Sequence, residues 1–167
     1  MSILDKLLGK SGKTVDPVYE NMRTEAFSSR IGDLKDVNTS SLGKVFGAVV
    51  DMPVGENTAS LICFIDGRTS LGYSYGHCNP DIGKKYADVR QTVKTFLQGS
   101  ETVLNTFAPT DKFSISKSRE LTYIYLLTQD GVYVKSFDAT EPSQDDRYLY
   151  MLFQNIITHI RLHLQKV

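Results

Sequence analysis

The sequence predicts an α+β fold in the order α-β-β-β-α-(β)-β-β-α, a central antiparallel sheet of five or six strands with three main helices packed on it. Three observations lead there. Ala59–Tyr75 and Leu121–Phe137 are each an apolar run, an Asp-Gly pair and a second alternating run. Asp-Gly is a strong hairpin signal, because both central residues of a type I′ turn need φ > 0. A helix-period segment follows each hairpin, and Asp16-Pro17 opens another ahead of the first.

Asp16 caps the free N–H groups of the first helix and Pro17 fits its first turn. Tyr19, Met22, Ala26 and Phe27 give that helix one apolar face, and Gly32 is a stop. The first strand, Lys44–Met52, is apolar in both alternating sets, which predicts that both its faces are covered. Pro53–Asn57 is a turn, and the second strand, Ala59–Ile65, reads as central. The third, Thr69–Tyr75, sets Leu71, Tyr73 and Tyr75 against Ser70, Gly72 and Ser74, so one side is solvated or closely approached by other backbone.

Gly76–Asp81 then turns the chain into a long helix with Ile82, Tyr86, Val89, Val93, Phe96 and Leu97 as its buried stripe. Gly99-Ser100 is a candidate kink, Ala108–Asp111 a stop, and Lys112–Ser118 a polar strand or loop. Leu121–Thr128 and Val132–Phe137 form the second hairpin. Ser143, with Asp146 three residues on, caps the final helix, Asp145–Leu164. Leu149, Leu152, Phe153, Ile156, Ile160 and Leu164 make its core face, and Tyr148, Met151 and Ile157 widen the apolar arc beyond a usual stripe. The expectation is that this second face is buried in another subunit, with Tyr86 and Val93 of the preceding helix contributing.

At 167 residues the chain reads as residues 1–14, an N-terminal stub and linker, followed by one domain over residues 15–167. A chain this long buries ~70% of its unfolded surface and needs no disulfide or metal to fold. Nineteen basic residues cancel nineteen acidic ones, which argues against a nucleic-acid partner and removes repulsion between copies. Two cysteines, Cys63 and Cys78, are no disulfide framework, and a reducing cytoplasmic setting follows. Met1–Lys10 has apolar residues on one helix face but lacks a signal peptide's apolar core, and no later segment reads as a membrane span. Gly12-Lys13-Thr14 is no phosphate loop, since Leu7 stands where its first glycine is required.

Candidate chemistry is sparse. Gly76, His77, Cys78, Asp81 and Gly83 form a candidate functional loop, but adjacent His and Cys side chains diverge and a helix-capping role is favoured over a nucleophile. His159 and His163 stand at a chelating spacing without the glutamate of a zinc-protease helix, and read as polar edge residues near a helix C-terminus. No catalytic, metal or cofactor site is assigned.

The segments Gly47–Met52, Asp66–Leu71 (DGRTSL) and Ser74–Gly76 (SYG), with Tyr123–Gly131 (YIYLLTQDG), resemble a group of small, uncharacterised bacterial proteins over about two-thirds of the chain. That group carries no assigned activity. Its run of glycines after the Ser-x-Gly segment is reduced here to Gly76 and Gly83. The element order also resembles the roadblock/profilin-like class, which implies a sheet between helices and subunits that pair into dimers recruiting other proteins. The resulting expectation is a non-enzymatic adaptor or scaffold acting as a homodimer. The alternatives are a secretion-type or client chaperone and a small-molecule sensor domain.

Overall fold

The structure is a computed structural model that describes residues 14–35, 37 and 43–165. Residues 1–13 and most of the polar stretch 36–42 lie outside the described residues, and with them the helical reading of Met1–Lys10. Seven strands form one antiparallel sheet: β1 (Val45–Val54), β2 (Asn57–Phe64), β3 (Thr69–Tyr73), β4 (Cys78–Asn79), β5 (Ala108–Thr110), β6 (Leu121–Thr128) and β7 (Gly131–Asp138). Their order across the sheet is β4-β3-β2-β1-β6-β7-β5, so both hairpins share one layer with β1 between them. The helices are α1 (Pro17–Ser28), α2 (Ala87–Thr102) and α3 (Gln144–Leu164).

The strand count corrects the expected five or six. The additions are the two-residue β4 and the three-residue β5, both at sheet edges and both in stretches whose Gly, Pro and Asn content reads as turn. Lys112–Ser118 is loop. α2 begins at Ala87, after a 3-10 turn over Ile82–Lys85, and runs through Gly99-Ser100 to Thr102. The hairpin tips also differ from type I′. Among the described residues Asp81 is the one non-glycine residue at positive φ, so Asp66 and Asp130 do not adopt it. Each tip is closed by its glycine instead, Gly67 at φ 96° and Gly131 at φ 128°. The Gly67 N–H donates to the Phe64 carbonyl (2.9 Å) and the Phe64 N–H to the Arg68 carbonyl (2.9 Å), the pattern of a turn followed by a glycine bulge.

β1 is buried on both faces, as its two-sided apolar pattern requires. α2 and α3 cover one side, where Val93, Phe96, Phe153 and Ile156 pack over Ala48, Val50, Leu61, Ile124 and Leu126. On the other side, Ala26, Met22 and Phe27 of α1 and Phe113 of the loop between β5 and β6 cover Phe46, Val49, Ile62, Tyr125 and Leu127. Phe27 and Phe113 stack with ring centroids 4.4 Å apart.

α1 starts where Asp16 accepts the Tyr19 N–H at 3.1 Å, and the Asp16 N–H donates to the Ser74 carbonyl at 2.9 Å. Its apolar face is short, and a buried polar network completes the contact. Arg23 Nε donates to both oxygens of Asp51 on β1 (3.2 and 3.1 Å), its Nη2 also reaches that carboxylate, and its Nη1 reaches the Phe113 carbonyl. Ser60 Oγ donates to Asp51 Oδ1 (2.5 Å) and bonds the Tyr19 hydroxyl (2.6 Å). The guanidinium lies 5.7 Å from the Tyr125 ring centroid. Burial, followed by the Asp51 carboxylate, pushes the Tyr19 hydroxyl up to about 12, so it stays a neutral donor.

Asp51→Ala leaves the Arg23 cation buried without its partner and is expected to destabilise the fold by about 3–5 kcal/mol in chemical denaturation. Removing both charges with Arg23→Met and Asp51→Leu should cost less than Asp51→Ala alone. A single-site loss under about 1 kcal/mol would contradict the network's role.

Candidate functional site

The rotation of α3 about its axis decides which side chains remain available. Ser143 Oγ accepts the Asp146 N–H at 3.2 Å, which is half of the expected capping box. The Asp146 carboxylate turns instead to Lys135 Nζ on β7 at 2.7 Å. Burial alone would raise the Asp146 carboxyl, but Lys135 and the Ser143 hydroxyl hold it below the usual carboxylate range. With its first turn tied to β7, α3 sends Leu149, Phe153, Ile156, Ile157 and Ile160 into the core.

This corrects part of the expected interface. Ile157 (4% exposed) and Val93 (0%) belong to the chain's own core, whereas Leu164, read as core, lies at the exposed end. Tyr86 is half-buried and stacks on the His163 ring at 3.6 Å between centroids. Tyr148 (44%) and Met151 (65%) do face solvent, and Leu162 (50%) joins them. These three belong to a longer row at alternating spacings of four and three: Gln144, Tyr148, Met151, Asn155, Thr158, Leu162 and Gln165. All seven are exposed and none carries a charge, while the exposed Asp145, Arg147 and Arg161 fall beside the row. Paired helices meet along apolar residues at this spacing, which here are Tyr148, Met151 and Leu162, whereas Gln144, Asn155, Thr158 and Gln165 are polar. The repeat is present in the sequence, but only the placement of the core face shows that it points outward. Gly99 of α2 lets α3 come close, since a Cβ there would lie 2.6 Å from Leu152 Cδ1 and 2.8 Å from the Tyr148 hydroxyl.

The two histidines of α3 find a partner that their spacing did not suggest. Asp88, in the first turn of α2, accepts from His159 Nδ1 at 2.7 Å and from His163 Nε2 at 2.8 Å. One neutral tautomer of each ring suffices to donate both bonds. Desolvation works to raise the Asp88 carboxyl, but the two imidazole hydrogen bonds win and hold it at about 2. The cluster is a clasp between the start of α2 and the end of α3. Among the described residues, no group of three or more His, Cys, Asp or Glu side chains is arranged to hold a metal ion.

In the candidate loop, each residue has a local structural task. Gly76 takes φ 114° in the turn where its N–H bonds the Tyr73 carbonyl (3.0 Å). His77 is exposed beside Tyr73, with ring centroids 6.2 Å apart. Cys78 pairs with Gly72 across β3 and β4, and burial raises its thiol pKa, the reverse of nucleophile activation. Asp81 sits at φ 54° with its N–H on Ser70 Oγ (2.8 Å). Gly83 lies where a Cβ would come within 2.4 Å of Thr69 Oγ1. The nearby Asp16 carboxylate adds to the effect of burial on the Cys78 thiol, further disfavouring the thiolate.

Asp88 carries its depressed pKa only in the folded state, so its contribution to stability is present above the usual carboxylate range and is lost as pH falls through about 2. Its side chain is 40% exposed, so Asp88→Asn is expected to cost only ~0.5–1 kcal/mol at neutral pH. The difference from wild type should shrink between pH ~4 and ~2 in denaturation titrations. For the thiols, Cys78 should alkylate more slowly than free cysteine at neutral pH, and Cys63, buried and pushed up to about 12, only on unfolding.

The chain matches no protein-family model, no curated protein and no solved structure, and its own geometry carries the functional reading.

Proposed function

We propose that this protein is a non-enzymatic protein-interaction adaptor or scaffold that works as a homodimer, with the solvent face of α3 as its contact surface. One observation carries the reading: Tyr148, Met151 and Leu162 are exposed in an uncharged row spaced by fours and threes, on a helix whose opposite face is core. Single exposed apolar residues are ordinary on any surface. Tyr148, Met151 and Leu162 aligned in one charge-free row are less so. The zero net charge adds no repulsion between copies.

Magnitudes set the strength of the contact. A 21-residue helix is about 32 Å long, so a single seam covers on the order of 400 Å² per chain. A standard stable interface takes about 800 Å² per partner. Complete burial of a Met or Leu side chain is worth ~1.5–3 kcal/mol, and both residues here already have part of their surface covered. The proposed dimer is therefore a weak, exchanging one.

The reading is also supported by the layering of one helix, a sheet and two helices, which agrees with the roadblock/profilin-like class as an analogy of fold. A cytoplasmic setting belongs to the proposal because both cysteines are free thiols. Among the described residues no helix is long and apolar enough to cross a membrane.

Sedimentation velocity across the micromolar range is expected to show concentration-dependent dimerisation. Met151→Asp, which places a charge in the seam, should weaken it by about tenfold or more while leaving the melting temperature close to wild type. A wild-type chain that stays monomeric at hundreds of micromolar contradicts the proposal.

A further inference from the structure

We infer that this protein binds a small organic carboxylate in a cleft at one end of the sheet, with Lys117, Arg119 and serine hydroxyls holding the carboxylate. The cleft lies where Val15 ahead of α1, the β1–β2 turn, Ser74 after β3 and the loop between β5 and β6 meet. Its volume is about 530 Å³. Small-molecule sites run from roughly 300 to 1,000 Å³. None of the lining residues belongs to α3, so the cleft is separate from the proposed contact surface between copies.

The walls carry hydrogen-bond donors that the fold leaves unspent. Ser74 Oγ accepts the Thr58 N–H (2.9 Å), and Ser116 Oγ accepts the Ser118 N–H (3.0 Å). Ser118 Oγ accepts the N–H groups of Glu120 and Leu121 (3.1 and 3.0 Å). Each hydroxyl takes its protons from the backbone and keeps its own to give. Among the described residues none of the three donates to a protein acceptor. Lys117 is exposed and joins no ion pair among the described residues. The acid on the cleft wall, Glu56, accepts from Arg119 Nη2 at 2.8 Å, which neutralises it and leaves the other guanidinium N–H groups free to donate. The balance is one positive charge in excess, surrounded by donors, and an anion answers both needs with charge-assisted bonds. Inorganic phosphate would satisfy the donors but fill little of the volume. The half-buried Val15 and Ile115 supply an apolar wall, which suits a ligand with a hydrocarbon body.

Amide chemical-shift titration of the whole chain tests the site, with hexanoate as the probe and hexanamide and inorganic phosphate as controls. Hexanoate is expected to shift the amides of Ser74, Ser116, Lys117, Ser118 and Arg119 along one saturating curve, with Kd on the order of 1 mM. Hexanamide and phosphate should each bind at least about tenfold more weakly. Lys117→Met, at an exposed position, should leave the melting temperature unchanged and weaken hexanoate by about tenfold. No saturable shift at these amides with hexanoate up to about 20 mM would overturn the site. Equal binding of hexanamide would overturn the carboxylate, and equal binding of phosphate would overturn the organic body. Dimerisation is read separately by sedimentation, so the failure of one claim leaves the other standing.

Discussion

The middle of β1 has no solvent-facing side, and the rest of the structure answers to that constraint. Ala48, Val49 and Val50 are successive residues pointing to opposite faces, all fully buried. Period-two alternation means that such a strand needs cover above and below. α2 and α3 supply it on one face with an ordinary apolar core. On the other face α1 is only twelve residues long, with few large apolar side chains. The Arg23–Asp51 pair, with Ser60 and Tyr19, makes up the contact by satisfying polar atoms that would otherwise be buried without partners. Phe113 closes the edge of that patch, which explains why the loop after β5 lies against α1.

Once β1 is covered, the other polar clusters read as fasteners that set how the covering helices sit. Lys135–Asp146 ties the start of α3 to β7, and Asp88 with His159 and His163 ties its end to α2. Held at both ends, α3 has a fixed rotation, and that rotation determines which residues face outward. The exposed row is therefore a consequence of how the core is assembled. Groups that suggested chemistry, the chelating histidines and the loop cysteine, are absorbed into this framework, while among the described residues Tyr148, Met151 and Leu162 on the uncharged face of α3 stay largely exposed.

Much of this organisation was legible in the residues. The twin Asp-Gly hairpins, the two-sided β1, and the caps at Asp16 and Ser143 report local requirements of turns, strands and helix ends, which depend little on distant contacts. What escaped were features set by long-range partners. Arg23 and Asp51, 28 positions apart, each read as an ordinary charged residue until the fold brings them together. The same is true of Asp88, 71 positions before His159. β4 and β5 owe their strand conformation to a neighbour, not to their own composition. Ile157 and Leu164 exchanged roles because helical periodicity gives the width of an apolar arc without saying which part of it the sheet takes.

The central claim is that the exposed row of α3 is the contact surface between copies, and amide chemical shifts followed over a dilution series test it most directly. The account predicts concentration-dependent shifts at Tyr148, Met151, Asn155, Thr158 and Leu162, with the amides around Arg23 and Asp51 unmoved. Shifts that are absent from α3, or that cluster instead on α1 or the sheet edges, would contradict it.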